Sequence, residues 1–158
     1  MYHPIETYRG VVYPWSIDHV GHMNVSSYTA RFDEASWQFL ATLGLTPSFL
    51  KKNERAAVAA EQRVHYLREL TAGSLLHIRT TLIEIGEKSI RIIHRMYDSE
   101  DDAEVAVMEL VGVYFDTRLR KPAELPAMVH DHAGNLFAGY GEGDTAHEPW
   151  MAGAGSRG

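Results

Sequence analysis

Residues 24–44, NVSSYTARFDEASWQFLATLG, place Val25, Tyr28, Phe32, Ala35, Phe39 and Leu43 at steps of three and four. That spacing puts all six on one stripe of an α-helix. Asp33 and Glu34 fall on the opposite, solvated side. Asn24, Ser26 or Ser27 is suited to cap the start, and Gly44 to end the helix after about five turns. A single long helix with one apolar stripe needs a partner surface, and the rest of the chain must supply it.

Downstream of the connection LTPSFLKKNERA with Pro47, the pattern changes to alternation. Segments 57–70, 74–85, 89–98 and 104–116 read as four strands, separated by TAG, GEK and the acidic SEDDA turn, which predicts an antiparallel meander. Upstream, Thr7 to Trp15 is β-branched and aromatic, with Arg9, Val11, Tyr13 and Trp15 on one face and Pro14 near its end. It reads as an edge strand. Pro122 and Pro126 close the strand region, and residues 128–137 suit a short helix. The glycine-rich residues 141–158 are expected to form a flexible tail after one domain spanning 1–140. The class is α+β, with the sheet wrapping around the helix stripe because only one face of the sheet can bury it.

Composition narrows the function classes. The chain has 158 residues, a formal net charge of −6 and no cysteine. Without thiols there is no disulfide, thiolate metal site or cysteine nucleophile. The negative charge argues against nucleic acid or an anionic membrane as partner. The N-terminus MYHPIETYRG lacks a signal-peptide core, and no run of eighteen apolar residues occurs, so a cytoplasmic location is expected.

Immediately before the helix lies WSIDHVGHMNVSSY (15–28), dense in polar groups. An Asp in such a place is commonly a turn former or cap. His19 and His22 are spaced like metal ligands but have no third or fourth ligand nearby, so no metal is expected and His22 reads as a hydrogen-bonded structural histidine. His94 shares a strand face with Ile90, Ile92 and Met96 and reads as a core or interface histidine.

Asp18, Gly21, His22, Met23, Asn24 and Tyr28, followed by FDEA (32–35), resemble the signature of the hotdog-fold acyl-CoA thioesterases, in particular the 4-hydroxybenzoyl-CoA thioesterase-like family. VHYLREL (64–70) with Gly73, GEKS (86–89) and FDTRLRKPAELP (115–126) extend the resemblance across roughly residues 8–127. Val25 stands where that family often has a second Asn. The resemblance implies a curved antiparallel sheet around one long central helix. It also implies hydrolysis of an acyl-CoA thioester to a free acid and coenzyme A, and a homodimer or homotetramer with sites between subunits. Coenzyme A would enter as part of the substrate, with no further cofactor.

Thioester hydrolysis needs an activated oxygen and donors for the developing oxyanion. GxSxG and His-Glu-x-x-His are absent, which leaves a carboxylate. By family analogy Asp18 acts as nucleophile or general base. The Val25 amide, with that of Asn24, would face the carbonyl oxygen, where the helix N-terminus adds its positive end. Gly21 would let the loop turn, Tyr28 and Phe32 serve equally as pocket wall or core, and His22 lines the site. Glu61 shares a face with Arg63 and His65, as a solvated ion-pair face or a second acid at a neighbouring subunit's site. Lys88 and Ser89, with Arg118, Arg120 and Lys121, are candidates to meet coenzyme A phosphates. Two other classes fit the same fold: a hydratase or dehydratase, whose acid-plus-His signature GHMN does not resemble, and a non-catalytic acyl-CoA-binding module. The acyl group itself stays open; a quaternary ammonium would want aromatic rings, for which Tyr13, Trp15, Trp37 and Tyr66 are available.

Overall fold

The computed structural model of the chain describes residues 3–137. The expected tail at 141–158 lies outside the described residues. Strand β1 (Ile5–Val11) leads through a single 3-10 turn at Pro14–Ser16 into helix α1 (Val25–Thr42) and the short helix α2 (Pro47–Lys52). Four long strands follow, β2 (Arg55–Tyr66), β3 (Leu75–Ile85), β4 (Ser89–Asp98) and β5 (Glu104–Asp116), then the two-residue β6 (Lys121–Pro122) and helix α3 (Ala127–Phe137).

The strands run antiparallel in the order β1-β3-β4-β5-β2, with β6 added to β5. This corrects the expected four-strand meander. β3, β4 and β5 do follow one another, but β2 lies at the edge beside β5, in register from Arg55↔Asp116 to Tyr66↔Ala106. Alternation assigns a strand its two faces and carries no information about its neighbour. β1 holds the other edge, as expected. Trp15 is not part of it: Pro14 opens the 3-10 turn that takes the chain away from β3.

The helix stripe is buried from Tyr28 through Phe32, Ala35, Phe39 and Leu43. These side chains share one core with Leu76, Ile78 and Leu82 of β3, Ile90, Ile92 and Met96 of β4, and Met108 and Leu110 of β5. Alternate residues of these three strands thus face the core that the helix stripe closes. Val25 departs from the expected stripe and is 58% exposed. The first turn of a helix has amides without internal partners, and this one stays open rather than packed. The connection containing Pro47 is also more ordered than expected, because Pro at the first helical turn and the Thr46 hydroxyl, which accepts the Phe49 N–H at 3.2 Å, start α2.

Candidate active site

The end of β1, the loop before α1 and the segment following β2 converge at one end of the sheet. Val12 N–H donates to Ser74 O, Met23 N–H to Leu70 O at 2.8 Å, and the Tyr28 hydroxyl to Arg68 O at 3.3 Å. Residues 68–70 therefore brace the loop from outside, and His22 Nε2 lies 3.0 Å from Glu69 Oε2. Inside the loop, Ile17 bridges Met23, Asp18 N–H donates to His22 O, and Gly21 N–H donates back to Asp18 O at 3.0 Å. Gly21 has φ +96, a region that side chains rarely enter, so the tight return depends on glycine although the space around it is empty.

Two side chains, Asp18 and Asn24, organise the loop's polar contacts. Asp18, half-buried, accepts the Val20 N–H on Oδ1 at 2.9 Å and the Asn24 Nδ2–H on Oδ2 at 3.3 Å. Asn24 turns its other side to the helix, where Oδ1 accepts both the Ser26 N–H at 2.8 Å and the Ser26 hydroxyl at 2.6 Å. One amide thus caps α1 and aims the carboxylate. The Asn24 N–H is taken by Ser16 O at 2.9 Å. Among the described residues, the Val25 N–H has no acceptor, and it stands at the positive end of an 18-residue helix. A carboxylate and an unused amide donor beside a helix mouth are the parts needed to bring an attacking oxygen to a carbonyl whose oxygen gains charge.

Of the other sequence candidates, Tyr28 and Phe32 are buried in the core. Tyr28 meets Tyr66 edge-on with ring centroids 5.2 Å apart, and burial pushes its hydroxyl pKa up. Glu61, exposed on β2, lies five residues from Tyr66, roughly 17 Å along the strand. Lys88 and Ser89 form the β3–β4 turn, ten or more residues along β3 from the loop end, about 33 Å in strand rise. Within one protomer these three do not meet Asp18. Nor do the four aromatic candidates form one cluster: Tyr13 stacks on Trp15 at 4.6 Å, Tyr66 meets Tyr28, and Trp37 lies elsewhere. A cavity of about 70 Å³ opens between α1 and the β2 edge, lined by residues that include Ser36, Trp37, Val58, Ile92 and Tyr114 but not Asp18. It is well below the ~300–1,000 Å³ of ordinary small-molecule sites.

His94 is a fully buried core histidine. The Ser36 hydroxyl donates to Phe32 O at 2.9 Å and lies 2.8 Å from His94 Nε2. Nδ1 lies 2.6 Å from the Thr80 hydroxyl, which in turn lies 2.7 Å from Thr7 Oγ1. Burial lowers the imidazole pKa to about 3, too low for a base at neutral pH. Among the described residues, no group of three His, Asp or Glu side chains is placed to hold a metal, and no helix is long and apolar enough to cross a membrane.

Sequence reasoning missed three contributors: Glu69, which pairs with His22; Ser16, whose carbonyl takes the Asn24 amide; and Arg31, buried beneath the loop. None of the three left a distinguishing sequence signal, since a cation adjoining an apolar stripe, as Arg31 does at Phe32, is ordinarily solvated.

Comparisons with known proteins agree with this architecture. A family model described as the thioesterase-like superfamily matches residues 12–132. The chain is 25% identical over 124 residues to an L-carnitine dehydrogenase/betainyl-CoA thioesterase of Agrobacterium fabrum, covering 78% of this chain and 25% of that one. It is 26% identical over 93 residues to a betainyl-CoA thioesterase of Pseudomonas aeruginosa, covering 59% and 58%. The chain thus spans about a quarter of the first relative and just over half of the second. Among solved structures, a Staphylococcus aureus protein in complex with CoA superposes with a TM-score of 0.85 at 17% identity, over 97% of this chain and 94% of that one. A 1,4-dihydroxy-2-naphthoyl-CoA thioesterase from Synechocystis gives 0.73 at 17%, over 82% and 95%. The fold is the hotdog fold that the sequence resemblance implied.

Proposed function

The chain belongs to the thioesterase-like superfamily, and from that membership we propose that it hydrolyses an acyl-CoA thioester to the free acid and coenzyme A. The observation that carries the reading is the Asp18 carboxylate aimed by Asn24 beside the free Val25 amide. In this mechanism Asp18 either attacks the carbonyl carbon or takes a proton from the water that does. The Val25 N–H donates to the oxygen that becomes negative, the C–S bond breaks, and the sulfur leaves with a proton as coenzyme A thiol. Direct attack adds an acyl-aspartyl anhydride that a water then opens; general-base action does not.

The site is completed by a second copy. β2 is an edge strand exposed along most of its length, a template for pairing with another strand. Pairing there brings a partner's Glu61 and Lys88–Ser89 turn into play, groups that a single protomer keeps away from its own Asp18. The acyl group is a small cationic one of the betainyl kind. Relatives named for betainyl-CoA support this, as does the exposed Tyr66 ring at the α1 mouth, since aromatic faces attract quaternary ammonium.

Thiol release from betainyl-CoA, acetyl-CoA and an aromatic acyl-CoA, measured with wild type and Asp18→Asn, tests the proposal. The expected result is turnover of betainyl-CoA that Asp18→Asn lowers by about 10³-fold. Absence of thiol release from every substrate refutes the hydrolase reading; preference for another acyl group refutes only the choice of substrate.

A further inference from the structure

The loop that carries Asp18 rests on a buried guanidinium. Arg31 lies on the third residue after Tyr28 and is only 9% exposed. Its Nη1 donates to Ser27 O at 3.1 Å, and Nη2 donates to Val11 O and to Ser16 Oγ, each at 3.3 Å. Its buried Nε has no partner. Among the described residues, no carboxylate lies within 4.0 Å of it. Burying a charge without a counter-ion is unfavourable, and an unbranched apolar side chain would fill the same space at less cost. The charge is therefore retained for something other than packing.

Its contacts indicate what. Val11 ends β1, Ser16 ends the 3-10 turn, and Ser27 lies in the first turn of α1. Arg31 ties these three pieces of backbone to one rigid, planar group. Ser16 is itself buried, and its carbonyl accepts the Asn24 N–H at 2.9 Å. Asn24 in turn holds the Asp18 carboxylate. The path from guanidinium to catalytic oxygen is thus Arg31, Ser16, Asn24, Asp18, with Ser16 two residues before Asp18 in the chain. The uncompensated positive charge also lies beneath the helix N-terminus, where it reinforces the dipole toward any anion formed there.

We propose that Arg31 is a positioning residue of the active site, holding the Asp18 carboxylate and the Val25 amide in one frame through Ser16 and Asn24. The proposal rests on the hydrolase reading for its catalytic consequence, but the positioning has a readout of its own. Arg31→Met keeps the length and removes charge and donors; Arg31→Lys keeps the charge and removes the fork. Amide hydrogen exchange in the wild type and both variants, alongside kcat and KM for thiol release, tests it. In Arg31→Met, exchange should accelerate at Gly21, Met23 and Asn24 while β3, β4 and β5 keep wild-type protection. kcat should fall about 10²-fold with KM within a few-fold, as expected when reacting groups are misplaced by about an ångström. Arg31→Lys should fall between the two in both measurements, and if Arg31→Met does not fold, the Lys variant decides alone against wild type. Loop exchange and kcat at wild-type values overturn the proposal. So does exchange that rises uniformly over the strands, which marks a global stability effect. If the wild type releases no thiol but loop exchange still follows residue 31, the hydrolase reading falls and the positioning stands.

Discussion

The chain holds two polar assemblies along the same helix, one against its middle at Ser36 and one at its N-terminus, and they are built on opposite terms. Around His94, every polar atom is paired within the core: the imidazole lies between Ser36 and Thr80, and Thr80 is backed by Thr7. Around Asp18, the carboxylate is half-buried, and the Val25 amide beside it has no acceptor among the described residues. A satisfied network in low dielectric rigidifies a core and leaves nothing to offer a ligand. An unsatisfied donor at a helix mouth keeps binding capacity that the fold has not used. A polar group's partners, more than its residue type, separate the closed network around His94 from the open one around Asp18.

The largest effect expected from breaking this contrast is on chemistry. Asp18→Asn should lower kcat/KM for thioester hydrolysis by about 10³-fold, within the range for removing an acid–base or nucleophilic group. Its thermal midpoint should change little, because the side chain bonds only its own loop. Loss of activity together with unfolding would assign Asp18 to structure instead.

The closed assembly should be visible in the pH dependence of stability. His94 is neutral when folded, with a pKa of about 3, against 6.5 for a free imidazole. Between those values the unfolded chain binds a proton that the folded chain does not, so stability falls as pH falls from about 6.5 toward 3, by on the order of 4 kcal/mol from this group. Denaturant titrations at pH 7, 5 and 4 should show that slope in the wild type. They should show a shallower one in His94→Leu, which has no proton to bind. Equal slopes would place the imidazole in a more solvated setting.

Next in size is the free donor. Val25→Pro removes the N–H and little else, because Pro suits the first helical position and Asn24 already has the extended φ −65, ψ 147 that a following Pro favours. Stability should hold while kcat falls about 10²-fold, the typical cost of an oxyanion donor. Unchanged kcat would move the oxyanion site elsewhere. The smallest effect is expected at Gly21, where Ala meets no neighbour but must adopt φ +96. A stability loss of roughly 1–2 kcal/mol and a several-fold fall in kcat should follow, readable by calorimetry and thiol release.

Much of this was legible in local pattern. The positions of α1, of β3, β4 and β5, and of α3 follow from periodicity and punctuation. The row Ile90, Ile92, His94, Met96 already placed His94 on a face with apolar neighbours. The place of β2 was not legible, since pairing with β5 joins residues some fifty positions apart, and alternation is the same whichever strand lies alongside. Arg31 was not legible either. A cation next to an apolar stripe is ordinarily solvated, and only the approach of Val11 and Ser16 reveals why this one is buried.

The sequence by itself determined what neighbouring residues decide among themselves: a capped helix with one apolar stripe, alternating strands, and a glycine-dependent loop carrying Asp18. These depend on backbone geometry and side-chain size, which act over a few residues. Tertiary structure decided which strand stands at the open edge, which amide was left without an acceptor, and which charge was buried beneath the loop. Those outcomes depend on groups brought together from distant parts of the chain, where the energy lies in contact and desolvation, and neither is written in local spacing.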